Sequence, residues 1–173
     1  MKWLIAMSST TDNLKAAFAG ESQANRKYLA YAKKADDEGL PQVAKLFRAA
    51  AEAETIHAHA HLNVLGGVRS TAENLADAIA GENYEHTSMY PGFIETAKAE
   101  GNKAAVRSFS WANSVEKIHE DKYRTAAQAV AEGKDLSPKK LFVCPLCGNI
   151  EEENPPERCP VCGALGSSFR EIL

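Results

Sequence analysis

At 173 residues the chain is one ordinary domain, or one domain with a small appendage, and it is long enough to bury a core. Its formal net charge of -3 and pI of about 6.0 argue against a nucleic-acid or membrane-surface binder, so neither is expected as a partner. Alanine is abundant and proline is confined to Pro41 and Pro91 before residue 138, a composition that favours long helices.

The amino-terminal "MKWLIAM" has one lysine and a short apolar run. It is too brief for a signal-peptide core of about seven to fifteen residues or for a membrane span of about twenty. A cytoplasmic chain is therefore expected, and residues 1–9 receive no role. Next comes helical periodicity: Leu14, Ala17, Phe18, Glu21, Ala24, Asn25, Tyr28 and Ala32 share one face. The turn Glu38-Gly39-Leu40-Pro41 closes this first helix. A second is expected over about 42–65, ending at Gly66-Gly67. "STAE" at 70–73 fits a capping box opening a third, and a fourth follows the turn at Gly101 and fades near Gly133. Four long antiparallel helices over residues 1–132 predict an all-α, up-and-down bundle. "GKDLSPKK" at 133–140 reads as a linker, and residues 141–173, too few for a core of their own, as a metal-stapled module.

The helical part repeats itself. Gly20-Glu21 matches Gly81-Glu82, Glu38-Gly39 matches Glu100-Gly101, Phe47 matches Phe109, Ala50 matches Ala112, and Glu54 and His57 match Glu116 and His119. The offset is 61 at the first pair and 62 at the later ones, so the second half gains one residue between Gly81 and Gly101.

Each half offers a lone helical glutamate, Glu21 or Glu82, and then Glu-x-x-His, Glu54 with His57 or Glu116 with His119. Positions i and i+3 share a helix face, and these residues fall on the apolar stripes of Phe47, Ala50 and Leu65 and of Phe109, Ala112, Tyr123 and Val130. A carboxylate facing a core needs a cation, and no Lys or Arg lies on those stripes. One Glu from each of two helices with Glu-x-x-His from the other two is the donor set of a di-iron or di-manganese carboxylate bundle. His59 sits about 200 degrees round the helix from His57 and should face away. His61 has no repeat partner and reads as a core histidine or one behind the ligands, and His86 as structural. Tyr28 and Tyr90, seven or eight residues beyond Glu21 and Glu82, read as core residues rather than as redox or proton partners.

All four cysteines stand in two knuckles, "CPLCG" at 144–148 and "CPVCG" at 159–163. Cys144, Cys147, Cys159 and Cys162 make a tetrahedral thiolate site for zinc or iron, and the glycine after each pair lets the backbone turn its amides toward sulfur.

In combination, "GESQANRKY", the two Glu-x-x-His motifs, "GENYEHTSMYP" and the two knuckles closely resemble rubrerythrin over about residues 10–173. The resemblance implies a ferritin-like bundle with a di-iron site held by Glu21, Glu54, His57, Glu82, Glu85, Glu116 and His119, and a rubredoxin-like Fe(Cys)4 centre. It implies cytosolic peroxide reduction in oxidative-stress defence, fed by rubredoxin or an NAD(P)H-dependent reductase, in a head-to-tail homodimer or larger assembly whose cysteine module serves another subunit. A ferritin-like ferroxidase is the rival reading, and a structural-zinc module a third; a storage protein has no need of a one-electron relay.

The added residue bears on Glu85, whose counterpart in the first half is Ala24. Pro91 cannot donate to the Thr87 carbonyl and would clash with it, so a π-bulge or kink is predicted between Glu82 and Gly101. The resemblance implies that one iron exchanges Glu85 for His57 on reduction, hard carboxylate suiting ferric ion and imidazole ferrous; Glu85 and His57, with Tyr28 and Tyr90, then make up the candidate catalytic set.

Overall fold

The computed structural model describes residues 9–173; the expectations for the first eight residues lie outside them. The described chain divides into two compact units between Arg69 and Ser70.

The first unit is an antiparallel hairpin of α1 (Thr10–Asp37) and α2 (Pro41–Val64). Ser9 opens α1 with a capping box: its Oγ accepts the Asp12 N–H at 3.1 Å and the Asp12 carboxylate accepts the Ser9 N–H at 3.2 Å. Gly39, at φ +74°, makes the reversal that an L side chain would resist, and Pro41 starts α2 where no N–H is needed. The seam is lined by Ala32, Ala35, Ala44, Ala51 and Ala58, small side chains that let the helices approach closely. Asn25 Nδ2 crosses it to Ala51 O (2.7 Å) and Thr55 Oγ1 (2.8 Å).

In the second unit, Ser70 and Glu73 form the expected capping box at the start of α3 (Thr71–Tyr84). The chain continues without a break through a π-helical turn (Glu85–Met89) into α4 (Tyr90–Ala99). Here the Tyr90 N–H donates to Glu85 O, five residues back, so the predicted bulge falls on the extra residue of the repeat. Pro91 follows, a residue that asks nothing of the hydrogen-bond ladder where its register changes. After a turn at Gly101, Asn102 caps α5 (Lys103–Ala131), which runs antiparallel to the bent helix. The 62-residue offset reappears in space. Tyr28, Tyr31 and Phe47 stack with centroids 6.3, 6.2 and 5.6 Å apart, and Tyr90, Phe93 and Phe109 at 6.2, 6.2 and 5.6 Å. Counted with the bent helix as one, the four long helices are those expected, and no described helix is long and apolar enough to cross a membrane.

Residues 132–140 carry no regular structure and lead to a three-stranded antiparallel sheet, β1 (Leu141–Val143), β2 (Ile150–Glu152) and β3 (Arg170–Ile172), in the order β2-β1-β3. Its buried residues are Cys144, Cys159 and Asn149, so the cysteines themselves form the centre of this small module.

Candidate metal centres

The two knuckles are built alike. The Gly148 N–H donates to Cys144 O and the Gly163 N–H to Cys159 O, both at 2.9 Å, with the glycines at φ +85° and +77°. The four Sγ atoms converge, 3.6 Å between Cys144 and Cys162 and 3.5 Å between Cys147 and Cys159. A disulfide needs about 2.05 Å. A tetrahedron of sulfurs around a metal at about 2.3 Å has edges of about 3.8 Å, so the thiols fit a single ion. Burial pushes the Cys147 and Cys162 thiols up. Burial acts the same way on Cys159, but the Cys162 and Val161 N–H groups and the Cys147 and Cys162 thiols outweigh it and bring Cys159 down to about 7. This sulfur is the readiest thiolate of the set.

The carboxylate–histidine motifs form one cluster in each unit. In the first, Glu21, Glu54 and His57 converge, and His57 Nδ1 lies 2.9 Å from Glu54 Oε2. In the second, Glu82, Glu116 and His119 converge, and His119 Nδ1 lies 2.9 Å from Glu116 Oε2 and 3.7 Å from Glu82 Oε1. Helical spacing positions each pair, since i and i+3 share a face. The first cluster differs from expectation in one respect: the His57 side chain is 55% exposed, against 20% for His119, although both stand on the apolar stripe. Tyr123, set on the same stripe by periodicity, is also exposed.

Glu85, one turn beyond Glu82, is not among the three side chains that converge, but it lies near enough to feel their charge. Burial, then the Glu82 charge, raise its carboxyl, with His119 pulling the other way. Glu82 is raised by burial and by Glu116. Tyr90, in the aromatic stack with Phe93 and Phe109, is raised by burial and by the charges of Glu116, Glu85 and Glu82. Tyr28, by contrast, shows ring contacts to Tyr31 and Phe47. His59 is exposed as expected, and His61 is half-buried. His86 turns to α5, its Nε2 2.5 Å from Glu120 Oε2. Glu120 was not singled out by the pattern of acids; the signal that could have found it is Arg124, one turn later. His119 Nε2 lies 3.1 Å from the carbonyl oxygen of Gly148, in the first cysteine knuckle of the same chain. On the flank of α5, a cleft of about 550 Å³ is lined by His119, Tyr123, Leu75 and Leu136 among others.

Antiparallel helical hairpins bearing paired Glu-x-x-His clusters, followed by a four-thiol module, define a carboxylate-bundle metalloprotein with an attached cysteine-ligated centre. Two family models match in tandem, rubrerythrin over residues 12–127 and the rubrerythrin rubredoxin-like domain over 142–170. Rubrerythrin-2 of Clostridium acetobutylicum is 35% identical, covering 93% of this chain and 95% of the relative. Nigerythrin of Nitratidesulfovibrio vulgaris is 37% identical, with 91% and 83% covered. A solved structure described as the partially reduced state of nigerythrin is 35% identical over 98% of this chain and 89% of that one, with a TM-score of 0.57. The chain belongs to the rubrerythrin family, a family of oxidoreductases. Its cofactors are a di-iron centre and one iron in a four-cysteine site.

Proposed function

We propose that the protein reduces hydrogen peroxide to water at its di-iron centre, with electrons relayed through the cysteine-bound iron. Residues 1–132 would form the di-iron domain, 133–140 the linker and 141–173 the rubredoxin-like domain. Glu21, Glu54, His57, Glu82, Glu85, Glu116 and His119 are the ligands of the iron pair, and Cys144, Cys147, Cys159 and Cys162 those of the single iron. The observation that carries this reading is His119: its Nδ1 faces Glu116 and Glu82 while its Nε2 meets the Gly148 carbonyl beside Cys147. One imidazole thereby bridges the carboxylate cluster and the thiolate knuckle, a link for which iron storage has no use.

Each peroxide consumes two electrons and two protons and yields two waters; the bound irons supply the electrons and the Lewis acidity. The side chains supply the rest. The His119 ring is held at both nitrogens, which fixes its orientation toward the acids. Glu82 and Glu85 are raised by burial and by neighbouring negative charge, so a bound cation would relieve the repulsion that the acids feel. Tyr90, raised in the same way, keeps its phenol O–H as a donor beside Glu85 and Glu116. Glu85 and His57 are the candidate pair for ligand exchange on reduction. Rubredoxin or an NAD(P)H-dependent reductase would feed the cysteine centre of a cytoplasmic homodimer or larger homo-oligomer.

The test is anaerobic metal analysis with visible absorption. About three irons per chain are expected, with a spectrum bleached by NAD(P)H and a reductase and restored by peroxide. Zinc in the thiolate site together with no peroxide turnover would overturn the reading.

A further inference from the structure

Glu120 is the charged residue that the fold buries most completely among the described residues, at 4% exposure, and the peroxidase reading gives it no task. A buried carboxylate must be paired, and Arg124, one turn along α5, donates to it from Nε (2.8 Å) and Nη2. That pair alone would satisfy the acid. Glu120 nevertheless reaches across to the bent helix, accepting from Asn83 Nδ2 at 3.2 Å and meeting His86 Nε2 at 2.5 Å. Asn83 lies in the last turn of α3 and His86 in the π-helical turn, so the two contacts bracket Glu85.

The repeat provides an internal control. By the 61-residue offset Glu85 and His86 correspond to Ala24 and Asn25, and by the 62-residue offset Glu120 and Arg124 correspond to Ala58 and Leu62. The first half, which lacks all four residues, runs as an uninterrupted α-helix at that place. The added residue, the added acid and the buried Glu120 with its partners therefore occur together.

We propose that Glu120 is a positioning residue: through Asn83 and His86 it clamps the π-helical turn against α5 in the orientation that presents Glu85 to the Glu82–His119 cluster. The inference rests on the reading of Glu85 as a metal ligand. Metal-free protein is titrated anaerobically with cobalt(II), following the absorption of the carboxylate-bound ions, for Glu120→Gln, Glu85→Ala and the double variant. Glu120→Gln weakens binding of the second ion by about tenfold or more, with helicity unchanged. It adds nothing in the Glu85→Ala background, because both changes remove the same ligand. Wild-type titration by Glu120→Gln, or an effect that persists in full in the double variant, overturns the proposal. If Glu120→Gln does not fold, His86→Gln is expected to reproduce its result. If Glu85→Ala itself binds metal as wild type does, the ligand reading fails, and amide hydrogen exchange of metal-free protein decides the clamp. Exchange about tenfold faster across residues 86–90 in Glu120→Gln upholds it, a difference of about 1.4 kcal/mol in local opening; unchanged exchange overturns it.

Discussion

The two helical hairpins share a plan and differ in how they finish their clusters. Both carry a matching aromatic triad, with Tyr31 in one where Phe93 stands in the other, a lone glutamate and a Glu-x-x-His. In the first hairpin the cluster has three members and an imidazole more than half exposed. In the second, the imidazole is held at both nitrogens, Glu85 and Tyr90 stand within electrostatic reach of the acids, and the buried Glu120 carboxylate ties the bent helix to α5 through Asn83 and His86. The lesson is that duplicated ligands do not make duplicated environments. One inserted residue goes with an extra carboxylate at position 85, and three further positions, 86, 120 and 124, differ from their counterparts in the first half.

The largest test of that contrast compares the two histidines. His119→Ala should lower metal affinity by about a hundredfold or more, because it removes a ligand whose orientation is already set. His57→Ala should cost about tenfold less, because the exposed ring must be ordered on binding. Equal losses by metal titration would erase the distinction. The aromatic triads should behave oppositely: Phe47→Ala and Phe109→Ala should each cost about 2–3 kcal/mol in chemical denaturation, matched to within about 0.5 kcal/mol. A clear mismatch would mean that the repeat is geometric but not energetic. Deleting Thr87 together with Pro91→Leu, the residue found at the matching position Leu29, should convert the bent helix to the uninterrupted form of the first half. Metal affinity should then fall by about tenfold while metal-free stability holds, and faster exchange across the whole of α4 would count against that.

The smallest effect concerns the contact of the second unit with its cysteine module. Lys122 and Lys139 both reach Glu152, at 2.9 and 2.5 Å, and hold its carboxyl below the usual range, Lys139 more strongly. Its folded value lies below its unfolded one. The stabilisation is therefore complete above the ordinary carboxylate value and is lost as pH falls through that value toward the folded one. These groups are partly exposed, so Lys122→Ala should cost at most about 1 kcal/mol, less at high salt, in chemical denaturation of the iron-loaded protein.

Much of this was legible in the sequence. Periodicity gave the four long helices, Ser70 with Glu73 gave a cap, and counting offsets between matched residues located the irregular turn. The knuckle spacing brought four thiols together because two-residue loops leave them little choice. What stayed hidden depends on partners far apart in sequence. Periodicity puts His57 and His119 on equivalent faces but does not say what covers each face. Glu120 looked like one more surface acid, since nothing local shows that Asn83 and His86 will meet it across a helix interface. The contact of His119 with Gly148 likewise joins two motifs that the sequence presents separately.

The π-helical turn has a consequence for how this chain can change over generations. An α-helix with a fixed hydrogen-bond ladder punishes a gained or lost codon, because every later side chain rotates by about 100 degrees. Between Glu85 and Met89 the ladder already holds a wider ring whose slack is one residue. That segment is where length can be renegotiated while the aromatic triad beyond it, and the ligands on α5, keep their places. It gives a lineage somewhere to convert a symmetric pair of half-sites into an unequal one by a single insertion.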